Sequence, residues 1–188
     1  MDAQTFIIGL GNPGLQYSDT RHNAGLLLCD ALMEHDRKLG GLTTWDTHKK
    51  TLQTSLLSHT THRTMLVNLG CFMNVSGAPT RSILDYYKAD PEIALIVAYD
   101  DLDLPLGTWK ISRNKNASGH NGLQDIITHV GTKDFLRIRI GIDARTPDMR
   151  THIAGRDYVL GHFTADERIA LDGVFTEITD YVFISHNS

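Results

Sequence analysis

Cysteine occurs only at Cys29 and Cys71, too few for a disulfide framework or a cysteine zinc set. Cys29 sits in an apolar helical pattern and reads as a core residue, and no motif marks Cys71 as a nucleophile. No apolar run approaches the roughly 18 residues of a membrane helix, so a membrane partner is not expected. The chain contains no G-x-S-x-G elbow and no H-E-x-x-H pair, which removes the commonest serine-hydrolase and zinc-protease signatures. His59 and His62 read as solvated turn residues, so no metal is assigned. Met1–Gln4 leads almost directly into Phe6-Ile7-Ile8, which leaves no room for a leader, and a cytoplasmic protein is expected.

A general excess of basic charge is also missing, since the net charge is −4. Its distribution is uneven. Between Lys110 and Arg150 eight lysines or arginines stand against four acids, a local balance of +4. Such a patch suits either a phosphate backbone or a solvated face.

At 188 residues the composition suits one domain, 1–188, with a sizeable core. Phe6 to Leu10 reads as a buried strand and Ala24 to Leu39 as a helix stopped by Gly40. Leu52–Leu57 and Met65–Leu69 read as strands around a polar turn at Ser58–Arg63. Ser76 to Lys88 reads as a helix, with Pro79 in its first turn. Ile93 to Tyr99 reads as a strand ending at Asp100-Asp101, followed by a turn-rich stretch from Leu102 to Gly107. Thr108 to Ser112 is a further strand, and a polar loop then leads to a helix over His120–Val130. Leu136, Ile138, Ile140 and Ile142 alternate with Arg137, Arg139, Gly141 and Asp143, a strand with one polar face from which Arg139 reaches solvent. Thr164-Ala165-Asp166-Glu167 is a capping box that opens the last helix. The expected fold is α/β, a single domain with a twisted mixed β-sheet flanked by helices.

Gly9-Leu10-Gly11-Asn12-Pro13-Gly14 matches the dinucleotide fingerprint in spacing. Its context is wrong: Pro13 and the polar run Gln16–Asn23 delay any helix to about Ala24, and Asp30 falls inside that helix. No cofactor is expected. What remains is a loop at the carboxyl end of the first strand, where open sheets place their ligands. It carries Asn12, Tyr17, Arg21, His22 and Asn23, with Asp100, Asn74 and Asn121 as plausible neighbours.

At these residues the chain resembles the bacterial-type peptidyl-tRNA hydrolase family. The matching segments are GLGNPGLQYSDTRHNAG (Gly9–Gly25), FMNVSG (Phe72–Gly77), DDLDLPLG (Asp100–Gly107), GHNGLQDII (Gly119–Ile127), RIRIGI (Arg137–Ile142) and YVLGHF (Tyr158–Phe163), in register over residues 6 to about 182. The resemblance implies hydrolysis of the ester between peptide and tRNA; a monomer is expected, without cofactor or metal. It implies that His22 is the catalytic histidine and Asp100 its partner. Asn12, Asn74 and Asn121 match site asparagines, and Tyr17, Phe72 and Met73 match positions lining the cleft for peptide and terminal adenosine. Arg139 matches a residue that grips the tRNA 5′-phosphate. Ser112 departs from the pattern, standing where the family has a second clamp lysine; Lys110, Arg113 and Lys115 are the candidate replacements, with Arg113 favoured as the nearest. Asn114–Ser118 also departs, replacing a glycine-rich loop.

The chemistry suits the residues. An aminoacyl ester needs a positioned water and a base, and a histidine with an unperturbed pKa of about 6.5 is neutral yet basic near neutrality. A carboxylate on its other nitrogen fixes the tautomer. Asn12 or Asn74 would hold the developing oxyanion, and Asn121 would bind backbone or leaving group. His120 reads as a helix-start residue rather than a second base. Two rivals stand beside this reading: a binding module like the plant RNA-splicing factors that share the fold, and a hydrolase of free esters. The full set of His22, Asp100 and three asparagines argues against the first, and the basic stretch against the second.

Overall fold

Phe6, Ile7 and Ile8 are fully buried because the strand that carries them, β1 (Thr5–Gly9), lies inside the sheet with apolar layers on both faces. The computed structural model describes residues 4–41, 44–47, 56–59 and 64–184. The other strands are β2 (Asp46–Thr47), β3 (Leu56–His59), β4 (Thr64–Asn68), β5 (Leu95–Pro105), β6 (Trp109–Ser112) and β7 (Leu136–Asp143). They form one seven-stranded sheet in the order β2-β3-β4-β1-β5-β7-β6. β4, β1, β5 and β7 run parallel, while the β2–β3, β3–β4 and β6–β7 pairs are antiparallel, so the sheet is mixed as expected.

Helices α1 (Ala24–Lys38), α2 (Gly77–Tyr87), α3 (Pro91–Ala94), α4 (Asn121–Val130), α5 (Pro147–His152), α6 (Gly155–Val159) and α7 (Ala165–Ile184) complete the chain. α1 and α7 bury Leu28, Leu32, Leu171, Val174 and Ile178 against Ile7, Ile138, Ile140 and Ile142 on one face. α2 and α4 bury Ile83, Leu84, Leu123 and Ile126 against Phe6, Ile8 and Val97 on the other.

Capping follows the sequence closely. Thr164 and Glu167 bond reciprocally at the start of α7, with Thr164 N–H to Glu167 Oε2 at 2.7 Å and Glu167 N–H to Thr164 Oγ1 at 3.3 Å. Gly131 closes α4 with φ 82°, the left-handed backbone that glycine adopts without strain. The glycines of the first loop serve packing. A Cβ on Gly25 would lie 2.2 Å from the Ala98 carbonyl oxygen, and one on Gly9 2.4 Å from that of Gly25. Only glycines at both positions let α1 seat this close to β1 and β5.

Three readings need correction. β5 starts at Leu95, because Ile93 belongs to α3, and it runs on through Asp100 to Pro105. Leu102–Pro105 carries residues common in turns, yet pairing with β7, through a register shift between Asp101 and Pro105, holds it extended. β7 is not half-solvated: Arg137 is fully buried, bonded to the carbonyls of Lys115, Asn116 and Lys133, with its guanidinium carbon 5.0 Å from the Phe135 ring centroid. Arg139 is largely enclosed as well, its side chain 15% exposed. Around the expected turn at Ser58–Arg63, Ser58 and His59 lie in β3 instead, and His62 falls outside the described residues.

Candidate active site

Two short 3-10 turns, Leu15–Tyr17 and Arg21–Asn23, carry the chain from β1 to α1 and place His22 beside β5. The loop is pinned from behind. Arg21 forms an ion pair with Glu167 at 2.6 Å, its guanidinium carbon lies 4.2 Å from the Tyr158 ring centroid, and Thr20 bridges His162. The YVLGHF segment therefore acts as a seat for the histidine loop.

His22 Nδ1 lies 2.9 and 3.0 Å from the two carboxylate oxygens of Asp100. His120 Nε2 lies 3.1 Å from Oδ1 of the same carboxylate. His120 is also the N-cap of α4, its Nδ1 accepting from Leu123 N–H at 3.2 Å. That bond fixes the tautomer: Nδ1 is the acceptor, so Nε2 carries the hydrogen donated to Asp100. The helix-start role read from the sequence holds, and a second role at the carboxylate accompanies it. Glycine-histidine-asparagine before an apolar helical pattern signals a cap; nothing local signals the reach to Asp100, about 20 residues away in sequence.

Asp100 thus collects a histidine from the loop before α1, on one face of the sheet, and one from α4 on the other. Its burial alone would raise its pKa. The charges and hydrogen bonds of His22 and His120 more than offset that and hold it well below the usual carboxylate range. For His22, burial opposes charging, but the Asp100 charge and hydrogen bond prevail and its pKa lies above the usual 6.5. The three side chains offer their facing atoms within 4.8 Å of one another, spacing that a metal ion would also accept. The His120 tautomer points a hydrogen, not a lone pair, at that centre, which suits a hydrogen-bonded relay.

A cleft of about 370 Å³ opens over this group, lined by His22, Asp100, His120, Asn121 and the loop residues Ala117–Gly119. Arg137, by bonding the carbonyls of Lys115 and Asn116, anchors the start of that loop from below. Asn12 is set by its neighbours: its Oδ1 accepts from Met73 N–H at 2.8 Å, and Asn23 bonds both its N–H and its carbonyl. With Oδ1 so committed, Nδ2 has no hydrogen-bond partner among the described residues and remains a donor. Asn23, which the loop sequence marks with no role of its own, holds Asn12 through both backbone groups. Asn74 is exposed in the 3-10 turn Met73–Val75, while Met73 is buried with its Sδ against Gly122 of α4. Tyr17 and Phe72 meet edge to face with centroids 6.3 Å apart, and Phe72 is 52% exposed.

The basic residues are dispersed differently from expectation. Arg139 Nε lies 2.5 Å from Asp101 Oδ2, so its charge is committed to the next carboxylate along β5. Cross-strand register sets Lys110 opposite Arg139 and Ser112 opposite Arg137. Directly opposed residues share a face, so exposed Lys110 is the cation beside Arg139. Arg113, favoured by nearness in sequence, is tied instead to Asp134 at 2.5 Å and to the carbonyl of Glu92.

A buried carboxylate orienting a histidine over an open cleft, at the edge of a parallel-centred α/β sheet, places the chain among the α/β enzymes with hydrolase-type sites. The sequence profile of the peptidyl-tRNA hydrolase family matches residues 6–187, and the chain belongs to that family. It is 38% identical to a peptidyl-tRNA hydrolase of Synechococcus elongatus over 181 residues, covering 92% of this chain and 82% of that one. It is 40% identical to that of Lactiplantibacillus plantarum over 166 residues, covering 88% and 84%. The crystal structure of peptidyl-tRNA hydrolase from Acinetobacter baumannii superposes with a TM-score of 0.81 at 28% identity, covering 98% of this chain and 89% of that one.

Proposed function

We propose that this protein hydrolyses the ester joining a peptide to tRNA, with His22 as general base and Asp100 as its orienting carboxylate. The observation that carries the reading is His22 Nδ1 held between both oxygens of a buried Asp100, which leaves Nε2 as the free basic nitrogen. Nε2 removes a proton from water as the water oxygen bonds to the ester carbonyl carbon. The tetrahedral intermediate then expels the ribose oxygen, which takes the proton back from the imidazolium. The products are a free carboxylic acid and free tRNA. No covalent enzyme intermediate is required, because the ribose oxygen is a better leaving group than an amide nitrogen.

Asn12 Nδ2, oriented by the Met73 N–H on its Oδ1, is the best-ordered donor for the developing oxyanion. One such donor contributes about 3 kcal/mol. Asn121 at the start of α4 lines the cleft over Asp100 and suits the leaving ribose or backbone. Asn74, Tyr17, Phe72 and Met73 are not among the residues lining that cleft, and they are assigned to the peptide and terminal base beside it. Arg139 and Lys110 carry the phosphate grip, and Arg113 is set aside for its bonds to Asp134 and Glu92. The protein acts as a monomer in the cytoplasm without metal; no described helix is long and apolar enough to cross a membrane. Incubation with N-acetyl-aminoacyl-tRNA tests the reading. Release of free tRNA supports it, and tRNA binding without release favours a binding module.

A further inference from the structure

The cleft is lined by three carboxylates, Asp100, Asp101 and Asp103, although the substrate assigned to it ends in a polyanionic strand. Asp100 is engaged with two histidines and Asp101 with Arg139, which is not among the residues lining the cleft. Among the described residues lining the cleft, one lysine or arginine remains, Arg156 on α6.

Arg156 combines a free head with a fixed base. Its side chain is 89% exposed, and its one ion-pair contact among the described residues is Asp157 at 3.8 Å, itself 67% exposed. Such a pair contributes little and is readily exchanged for a better anion. The backbone beneath it is set on both sides. A Cβ on Gly155 would meet Leu102 Cδ2 at 2.6 Å, so α6 begins pressed onto β5 between Asp101 and Asp103. Two residues on, Tyr158 is buried, with its hydroxyl donating to the Ile142 carbonyl at 3.2 Å and accepting from Ala144 N–H at 3.1 Å. An exposed guanidinium on an anchored backbone is thus part of the cleft lining, together with Asp101, Asp103 and the loop Ala117–Gly119.

We propose that Arg156 binds a backbone phosphate of the single-stranded 3′ end of the RNA as it enters the cleft. The proposal rests on the reading of the cleft as the ester-cleaving site. Arg156 offsets the carboxylates there and supplies a planar donor fork matched to phosphate oxygens. It contacts the strand near the ester, whereas Arg139 and Lys110 on the sheet serve a more distant phosphate.

Anisotropy of a short fluorescent single-stranded RNA without an ester reads this contact apart from turnover. Arg156→Ala should weaken binding about three- to tenfold and lower the slope of log affinity against log salt by about 0.7, the share of one phosphate on a single strand. Arg156→Lys should keep most of the slope, and Arg150→Ala, on α5 and paired with Asp143, should match wild type. With the aminoacyl ester on the same short RNA, Arg156→Ala should raise KM and spare kcat. Unchanged affinity and slope for Arg156→Ala, or a loss confined to kcat, would overturn the proposal. RNA binding through Arg156 by a protein that hydrolyses nothing would instead sink the functional reading and leave this contact standing.

Discussion

His22 Nδ1 is bracketed by the two oxygens of Asp100 at 2.9 and 3.0 Å, with the carboxylate buried behind it. Asp100→Asn keeps the shape but removes the charge, and its amide would set an N–H against one of two histidine N–H donors. The rate should decline about 10²- to 10⁴-fold with little change in tRNA affinity. Asp100 raises the pKa of His22, and the base must be neutral to act. The acidic limb of the wild-type rate profile should therefore lie above pH 6.5, and the variant's limb should move to lower pH. An unmoved limb measured by pH-rate titration would separate the two residues.

The same pair links stability to pH. The Asp100 pKa is depressed on folding, so its contribution is present above the unfolded value near 3.8 and lost as pH falls through the lower folded value. His22 has the opposite sign: its raised pKa adds stability that is full below about 6.5 and disappears as pH rises through the folded pKa. Denaturant titrations should show the wild-type advantage over Asp100→Asn shrinking as the pH is taken below 3.8.

His120 caps α4 and donates to Asp100 through opposite ring nitrogens. His120→Ala should cost about 1 kcal/mol of stability from the lost cap, and it should reduce turnover less than loss of His22. His120→Asn should restore the cap and stability but not the bond to Asp100. Equal recovery of stability and rate in the asparagine variant would show that the bond to Asp100 has no catalytic effect.

Much of this was legible in the residues. β1, α1, α2, α4, β7 and α7 follow from periodicity and caps, and the capping box at Thr164–Glu167 forms as read. α5 and α6 are too short to show a periodicity, although Thr146-Pro147 is a sequence start signal and Thr146 does accept from Met149 N–H. The remaining differences are tertiary. Asp100 reads as a strand end because aspartates and a proline follow it, and only pairing with β7 extends β5 beyond it. Arg137 reads as solvated because arginine usually is; its burial depends on three carbonyls contributed by two loops, one before α4 and one after it. The preference for Arg113 rested on distance along the chain, whereas cross-strand register decides which side chains are neighbours.

That register changes the expectation for the phosphate grip. Lys110→Ala should raise KM for full-length tRNA substrates with kcat preserved, and Arg113→Ala should leave KM unchanged. Arg139→Ala should behave like Lys110→Ala, but with a stability cost from an unpaired Asp101. Steady-state kinetics at two salt concentrations separates them; a KM effect at Arg113 rather than Lys110 would return the clamp to the loop.

Chelators should not alter the rate, because the hydrogen of His120 Nε2 faces the centre where a metal would sit. Dialysis against EDTA followed by assay checks this, and activity restored by zinc would contradict it.

The most direct test of the central claim is turnover of N-acetyl-aminoacyl-tRNA by wild type and His22→Ala, with tRNA affinity measured on the same samples. Wild type should release free tRNA, and the variant should bind equally well while turning over about 10²- to 10⁴-fold more slowly, the span of a lost general base. Near wild-type release by His22→Ala would contradict the assignment and place the base elsewhere in the cleft.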